Sequence, residues 1–178
     1  MHASFRRDTT ETEVEVSLDL EGSGSSDVQT GVPLLDEILT ILARASGFDI
    51  EVRARGDLVT GDHHTVEDVA IALGSVIAKL VGVGMGSSVV PSGEALASAA
   101  VRFGAPGYRD EVNFQATSLE GMQLENLSHF MRTFAYNGGF TLHLGASGGD
   151  DWQKVEALAL VLGRALRRAI EDGGGNGK

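Results

Sequence analysis

From Glu13 to Leu20 the chain alternates without a break, with Val14, Val16, Leu18 and Leu20 on one side and Glu13, Glu15, Ser17 and Asp19 on the other. A period of two is that of a half-buried strand. "EGSGSSD", Glu21 to Asp27, follows as a turn. The period then changes: Leu34, Leu35, Ile38, Ile41 and Leu42 recur at helical spacing, with Pro33 in a first turn that tolerates proline. "FDIEVRARGD" alternates again up to a Gly-Asp turn, and a second apolar helix runs on from Val66.

The rest of the chain repeats these signals. Sliding the sequence by 89 sets Asp62 to Ser75 on Asp151 to Arg164 with six of fourteen positions identical, among them Asp62/Asp151, Glu67/Glu156 and Gly74/Gly163. An offset of 92 sets "GFDIEV" on "GFTLHL" and "LLDEILTILA" on "NLSHFMRTFA", so that Glu37 falls on His129. So long a period predicts two copies of one supersecondary unit packed together, here residues 1–86 and 87–172, followed by a flexible tail at 173–178. Val155, Leu158, Leu162, Ala165 and Ile170 line the core face of the last helix. Arg164, Arg167 and Arg168 stand near the negative end of its dipole. Strands and helices within each half predict an α+β fold, with helices on one face of mostly antiparallel sheets.

Charge and composition narrow the function. Fourteen Lys and Arg against twenty-five Asp and Glu give a formal net charge of −11, which excludes a phosphate-backbone binder, so no nucleic acid partner is expected. An apolar fraction of 42% is enough for a sizeable core. Without cysteine there is no disulfide framework, thiolate metal site or cysteine nucleophile, which fits a cytoplasmic protein. Met1 to Thr12 lacks the apolar stretch of a signal peptide, and the greasy run Val69 to Val83 contains Lys79 and is shorter than the ~20 residues of a membrane span. No membrane association is expected.

The chemistry concentrates in "TGDHHTVEDVAIALGS". On a helix His63 and Glu67 stand at i and i+4, His64 and Glu67 at i and i+3, so imidazole and carboxylate share a face while the second imidazole points away. That pairing suits Mn, Zn, Fe or Ni better than Mg or Ca; the plainer reading is Asp62 as a cap and two solvated first-turn histidines. In the second copy Trp152 and Gln153 take the histidine positions and Glu156 alone is kept. Glu37 and His129 could each complete a ligand set. "GVGMGSS", Gly82 to Ser88, reads as a C-cap and turn, and "GASGGDD" as a helix cap. His2 lies in a start expected to be disordered, and neither it nor His143 carries an assigned role.

These stretches resemble the imidazoleglycerol-phosphate dehydratase family of histidine biosynthesis. The likeness runs from "RDTTET" (Arg7 to Thr12) through "TGVPLLDEIL", "GDLVTGDHHTVEDVAIALG", "VPSGEAL", "LSHFMRTFA" and "TLHL" to "KVEALALVLGRALRRAI", nearly the whole chain. It implies a tandem-duplicated βαββα fold of the ribosomal protein S5 domain 2-like kind. It also implies a homo-oligomer, a trimer or a 24-subunit shell, with two manganese ions per site bound across subunits, and dehydration of a small phosphorylated imidazole substrate. His63 and His64 then resemble ligands to two different metals, and Glu11 resembles the acid/base carboxylate.

The departures from the pattern are concentrated. Five of eight implied metal ligands remain, namely His63, His64, Glu67, His129 and Glu156; Glu37 replaces an imidazole, and Trp152 and Gln153 replace two more. The implied phosphate contacts fall on "GMGSSVV", on Gly104-Ala105-Pro106-Gly107 and on Ala159-Leu160, none of them basic. Each lost charge-assisted contact forfeits ~1.5 to 3 kcal/mol. Two expectations follow: a metal-dependent lyase with impaired chemistry, or a non-catalytic paralogue serving as an assembly or regulatory partner.

Overall fold

The computed structural model describes residues 1–174; the tail beyond Gly174, expected to be flexible, lies outside the described residues. The first half comprises β1 (His2–Asp8), β2 (Thr12–Asp19), β3 (Ser26–Gln29), α1 (Pro33–Ser46), β4 (Asp49–Gly56) and α2 (His63–Leu80). The second comprises β5 (Gly84–Ser92), β6 (Ala95–Phe103), β7 (Gly107–Val112), the short pair β8 (Ser118–Leu119) and β9 (Met122–Gln123), α3 (Glu125–Gly138), β10 (Phe140–Ser147) and α4 (Asp151–Asp172). The two four-stranded sheets have matching orders, β1-β2-β4-β3 and β5-β6-β10-β7. In each, one edge strand is parallel to its neighbour and the other pairings are antiparallel.

The α+β class with antiparallel-rich sheets is as expected, but four local expectations change. Each half runs β-β-β-α-β-α, not βαββα. The extra strands escaped the periodicity because β1, "HASFRRD", has only two apolar residues and β3, "SDVQ", only one. The start of the chain is therefore ordered, with His2 Nε2 2.7 Å from Ser17 Oγ. The halves meet between Leu80 and Gly84, since a division after Gly86 would cut β5. "GVGMGSS" accordingly enters an edge strand and is not a helix cap; α2 ends at Val81 in extended backbone.

The helices lie between the sheets. α2 packs on β1, β2 and β4, α4 on β5, β6 and β10, and the helix pairs α2/α3 and α1/α4 join the layers. Alternation assigns the faces: Val14, Val16 and Leu18 of β2 and Ala97, Ala99 and Val101 of β6 are buried against the helices, while their neighbours in sequence face outward. Leu34, Leu35, Ile38 and Leu39 of α1 are essentially inaccessible, each burial stabilising the fold by about 1.5–3 kcal/mol.

Two glycines at matching positions set how closely the helix pairs approach. A Cβ on Gly74 of α2 would lie 2.7 Å from Asn137 Cβ and 2.8 Å from Phe134 O of α3. A Cβ on Gly163 of α4 would lie 2.8 Å from Ala45 Cβ and 2.9 Å from Leu42 O of α1. Leu42 and Phe134, like Ala45 and Asn137, are themselves related by the offset of 92. The same crossing is thus built twice. Both partner helices also end on a left-handed glycine, Gly47 (φ 74°) and Gly139 (φ 69°).

Gly74→Ala and Gly163→Ala are each expected to destabilise the protein by about 1–3 kcal/mol, because the added methyl meets backbone that must shift. Gly82→Ala, which meets nothing within 4 Å, is expected to stay within about 0.5 kcal/mol of the parent in urea denaturation.

Candidate functional site

The α2/α3 crossing aligns the two helices in parallel: Gly74 meets Asn137 toward one end, and His63 meets Asn126 and His129 at the other. The ring of His63 lies 5.7 Å from that of His64 and 5.7 Å from that of His129, edge to face in both cases. All three histidines are exposed. His63 Nε2 stands 3.6 Å from Glu67 Oε2, one helical turn on. His64, turned away as its spacing requires, places Nδ1 2.9 Å from Glu11 Oε2.

Glu11 reaches His64 because the β1–β2 turn is tied to α2. Buried Asp68, one turn below His64, accepts from Arg7 Nε at 2.8 Å and from the Thr12 hydroxyl. Thr9 Oγ1 lies 3.0 Å from Thr12 Oγ1 and accepts from the backbone N–H of Glu11 at 3.2 Å and of Thr12 at 3.0 Å. Arg7, Thr9, Glu11 and Thr12 therefore act together: three residues fix the turn and the fourth faces the histidine. An ionised carboxylate only accepts, so neutral His64 donates through Nδ1 and leaves Nε2 free.

Asp62 does not cap α2 with its side chain. Its Oδ1 instead accepts from Asn126 Nδ2 at 2.6 Å, and Asn126 Oδ1 lies 3.2 Å from His63 Nδ1. Asn126 went unnoticed in the sequence, although a polar residue stands there at the position matching Leu34 in the duplicated helix.

The corresponding end of α4 is built differently. Asp150 and Gln153 form a reciprocal cap, Gln153 N–H donating to Asp150 Oδ1 at 2.8 Å and Asp150 N–H to Gln153 Oε1 at 3.1 Å. The Gln153 amide fits against a side-chain-free turn: a Cβ on Gly93 would lie 2.1 Å from its Nε2. Glu156 accepts from Ser92 Oγ at 2.6 Å. Asp151, the counterpart of Asp62, accepts from the backbone N–H groups of Gln115 and Ala116 at 2.8 and 2.7 Å, and buried Lys154 donates to Asn113 O at 2.8 Å. Capping in "GASGGDD" is as expected. Glu37 is exposed on α1, the helix that crosses α4, and not on the α2/α3 pair that carries the histidine cluster.

The predicted residues thus divide into two sets: Glu11, His63, His64, Glu67 and His129 gather at one end of the helix layer, while Glu156 and Glu37 belong to the other helix pair. Among the described residues no three His, Asp or Glu side chains come close enough within one chain to hold a metal ion. The first set still suits one chemically. His63 Nε2 and Glu67 Oε2 face each other too far apart to hydrogen-bond but near the roughly 3–3.5 Å between two ligands that each lie ~2.1 Å from a shared ion.

Two hollows flank the cluster, lined by arginines that no sequence pattern singled out. Arg55 lines one of about 390 Å³ with Thr9 to Glu13, and Arg109 and Arg132 line one of about 310 Å³ with Tyr108, Asp110, Ser128 and His129. In the latter, burial pushes the Tyr108 phenol well above its usual range, and its 2.6 Å hydrogen bond to Asp110 Oδ2 adds to the shift.

A family model described as imidazoleglycerol-phosphate dehydratase matches residues 30–172. A relative of that name from Desulforudis audaxviator is 41% identical over 174 residues, covering 94% of this chain and 89% of the relative. One from Pseudomonas aeruginosa is 38% identical over 176 residues, covering 95% and 89%. Among solved structures, imidazoleglycerol-phosphate dehydratase from Staphylococcus aureus aligns with a TM-score of 0.84 at 26% identity over 95% of this chain and 98% of that one. The Pyrococcus furiosus protein in complex with (S)-C348 aligns at 0.81 and 29% over 93% and 92%.

The Tyr108 shift has a sign that can be checked. A phenol whose folded pKa is raised keeps its proton when the unfolded chain has lost it, so its contribution is full below about pH 10 and is lost as pH rises above that value. Chemical denaturation is expected to show stability falling in that alkaline range more steeply for the parent than for Tyr108→Phe.

Proposed function

The chain belongs to the imidazoleglycerol-phosphate dehydratase family, and from that premise we propose that it is a member with a one-sided metal site and impaired dehydration of imidazoleglycerol phosphate. His63, His64, Glu67 and His129 are the ligands this chain would bring to a metal site shared with a neighbouring copy, the metal being manganese or another divalent transition ion, and Glu11 would move a proton through its contact with His64. A bound ion would orient an imidazole ring and stabilise charge developing on it. The observation that carries the reading is Gln153: where a second imidazole is expected, its amide closes a helix cap over Gly93. That arrangement offers no neutral nitrogen ligand, and Trp152 supplies none.

Assembly belongs to the same proposal. Since no three ligands converge within one chain, the cluster needs donors from a neighbouring copy, which favours a homo-oligomer, at least a trimer. Glu37 and Glu156 are the carboxylates that a neighbour would bring. Cytoplasmic location fits the absence of cysteine, and no helix among the described residues is long and apolar enough to cross a membrane. A second reading, a non-catalytic assembly or regulatory partner, draws on the same cap: a second end rebuilt for stability needs no turnover to be retained.

Purified full-length protein is expected to sediment as an oligomer, to hold at most one metal ion per subunit and to give no measurable dehydration of imidazoleglycerol phosphate. Because ligating imidazoles must be neutral, metal occupancy should fall in acid. Two tightly held manganese ions per subunit, or robust turnover abolished by His64→Ala, would overturn the one-sided reading. Metal binding without turnover supports it, and a monomer at micromolar concentration contradicts the shared site.

A further inference from the structure

We infer that Asn126 is a positioning residue that fixes His63 as its Nδ1–H tautomer and so turns the Nε2 lone pair toward Glu67. The inference rests on reading His63 as a metal ligand. It begins at Asp62, whose Oδ1 accepts from the Asn126 amide nitrogen at 2.6 Å, which leaves the amide oxygen facing His63. That oxygen only accepts, so the contact at 3.2 Å requires a proton on His63 Nδ1. In the neutral ring Nε2 is then unprotonated, and it is the atom that faces Glu67.

Asn126 is 5% exposed, so its amide orientation is set inside the protein and not by solvent. The fold does not need a polar side chain there. In the duplicated helix α1 the matching residue is Leu34, fully buried. A buried amide at a position whose counterpart is aliphatic costs stability unless its hydrogen bonds are made, and the bonds it makes are to Asp62 and His63. The pair of histidines is then held by two different devices, Glu11 on His64 from the β1–β2 turn and Asn126 on His63 from α3. Both leave Nε2 free. Groups of this kind, bonded to the far nitrogen of a ligating histidine, typically carry 10–100-fold in metal affinity.

The test uses full-length ¹⁵N-labelled protein without metal, at a pH well above the imidazole range, where long-range ¹H–¹⁵N correlations distinguish the two neutral tautomers. His63 is assigned by comparison with His63→Gln. The parent is expected to show the Nδ1–H pattern and Asn126→Leu to move toward the Nε2–H form. Zinc titration should show affinity weakened about 10–100-fold in Asn126→Leu. An Nε2–H parent overturns the inference even if Asn126→Leu fails to fold. An unchanged tautomer in Asn126→Leu, or a changed tautomer with undiminished zinc affinity, overturns it as well. A parent that binds no zinc at all refutes the metal reading of His63, while the tautomers still decide what Asn126 does.

Discussion

The close crossing of paired helices at Gly74 and Gly163 is the constraint on which the rest of the molecule depends. Without a side chain at those two points, α2 can lie against the backbone of α3, and α4 against that of α1. The helix layer is then thin enough for both sheets to bury their apolar faces on it. The same approach, followed toward the N-terminal end of α2, sets Asn126 and His129 beside His63. Core packing and site geometry are consequences of one contact, and the two halves each supply it once.

Identical scaffolding makes the differences between the two ends informative. At the first end a turn carrying Glu11 is clamped to α2 by Arg7, Asp68 and Thr12, and its carboxylate meets an imidazole. At the second end the corresponding β5–β6 turn carries Gly93, and what meets it is the Gln153 amide of a helix cap. Asp62 is left free to orient Asn126, whereas Asp151 is taken up by the backbone of residues 115 and 116. One end presents lone pairs outward and the other directs its polar groups inward. A metal needs the former and helix stability is served by the latter.

Much of this was legible in the chain itself. The offsets of 89 and 92 matched stretches that form corresponding helices beside two sheets of matching order, and the i, i+3 and i+4 spacing of His63, His64 and Glu67 gave their faces. What was not legible depended on contacts distant in sequence. Nothing local to "RDTTET" indicates that Asp68 will receive two of its side chains, and β1 and β3 carry too few apolar residues to declare themselves as strands. Asp62 looked like a cap because caps are local, but its partner lies 64 residues away on α3. Asn126 did leave a trace, as an amide where the matching helix α1 carries Leu34. Arg55 and Arg132 left none, since a single arginine on a strand or helix face has no pattern to distinguish it.

Anomalous diffraction from crystals grown with manganese would test the asymmetry most directly, because it locates each ion against named side chains. One manganese peak per site, within coordination distance of His63 Nε2 and Glu67 or of His64 Nε2, with no ion held by the Asp150–Gln153 cap, is the result this account predicts. Two full-occupancy peaks per site, with the cap opened and Gln153 turned to meet the second ion, would contradict it.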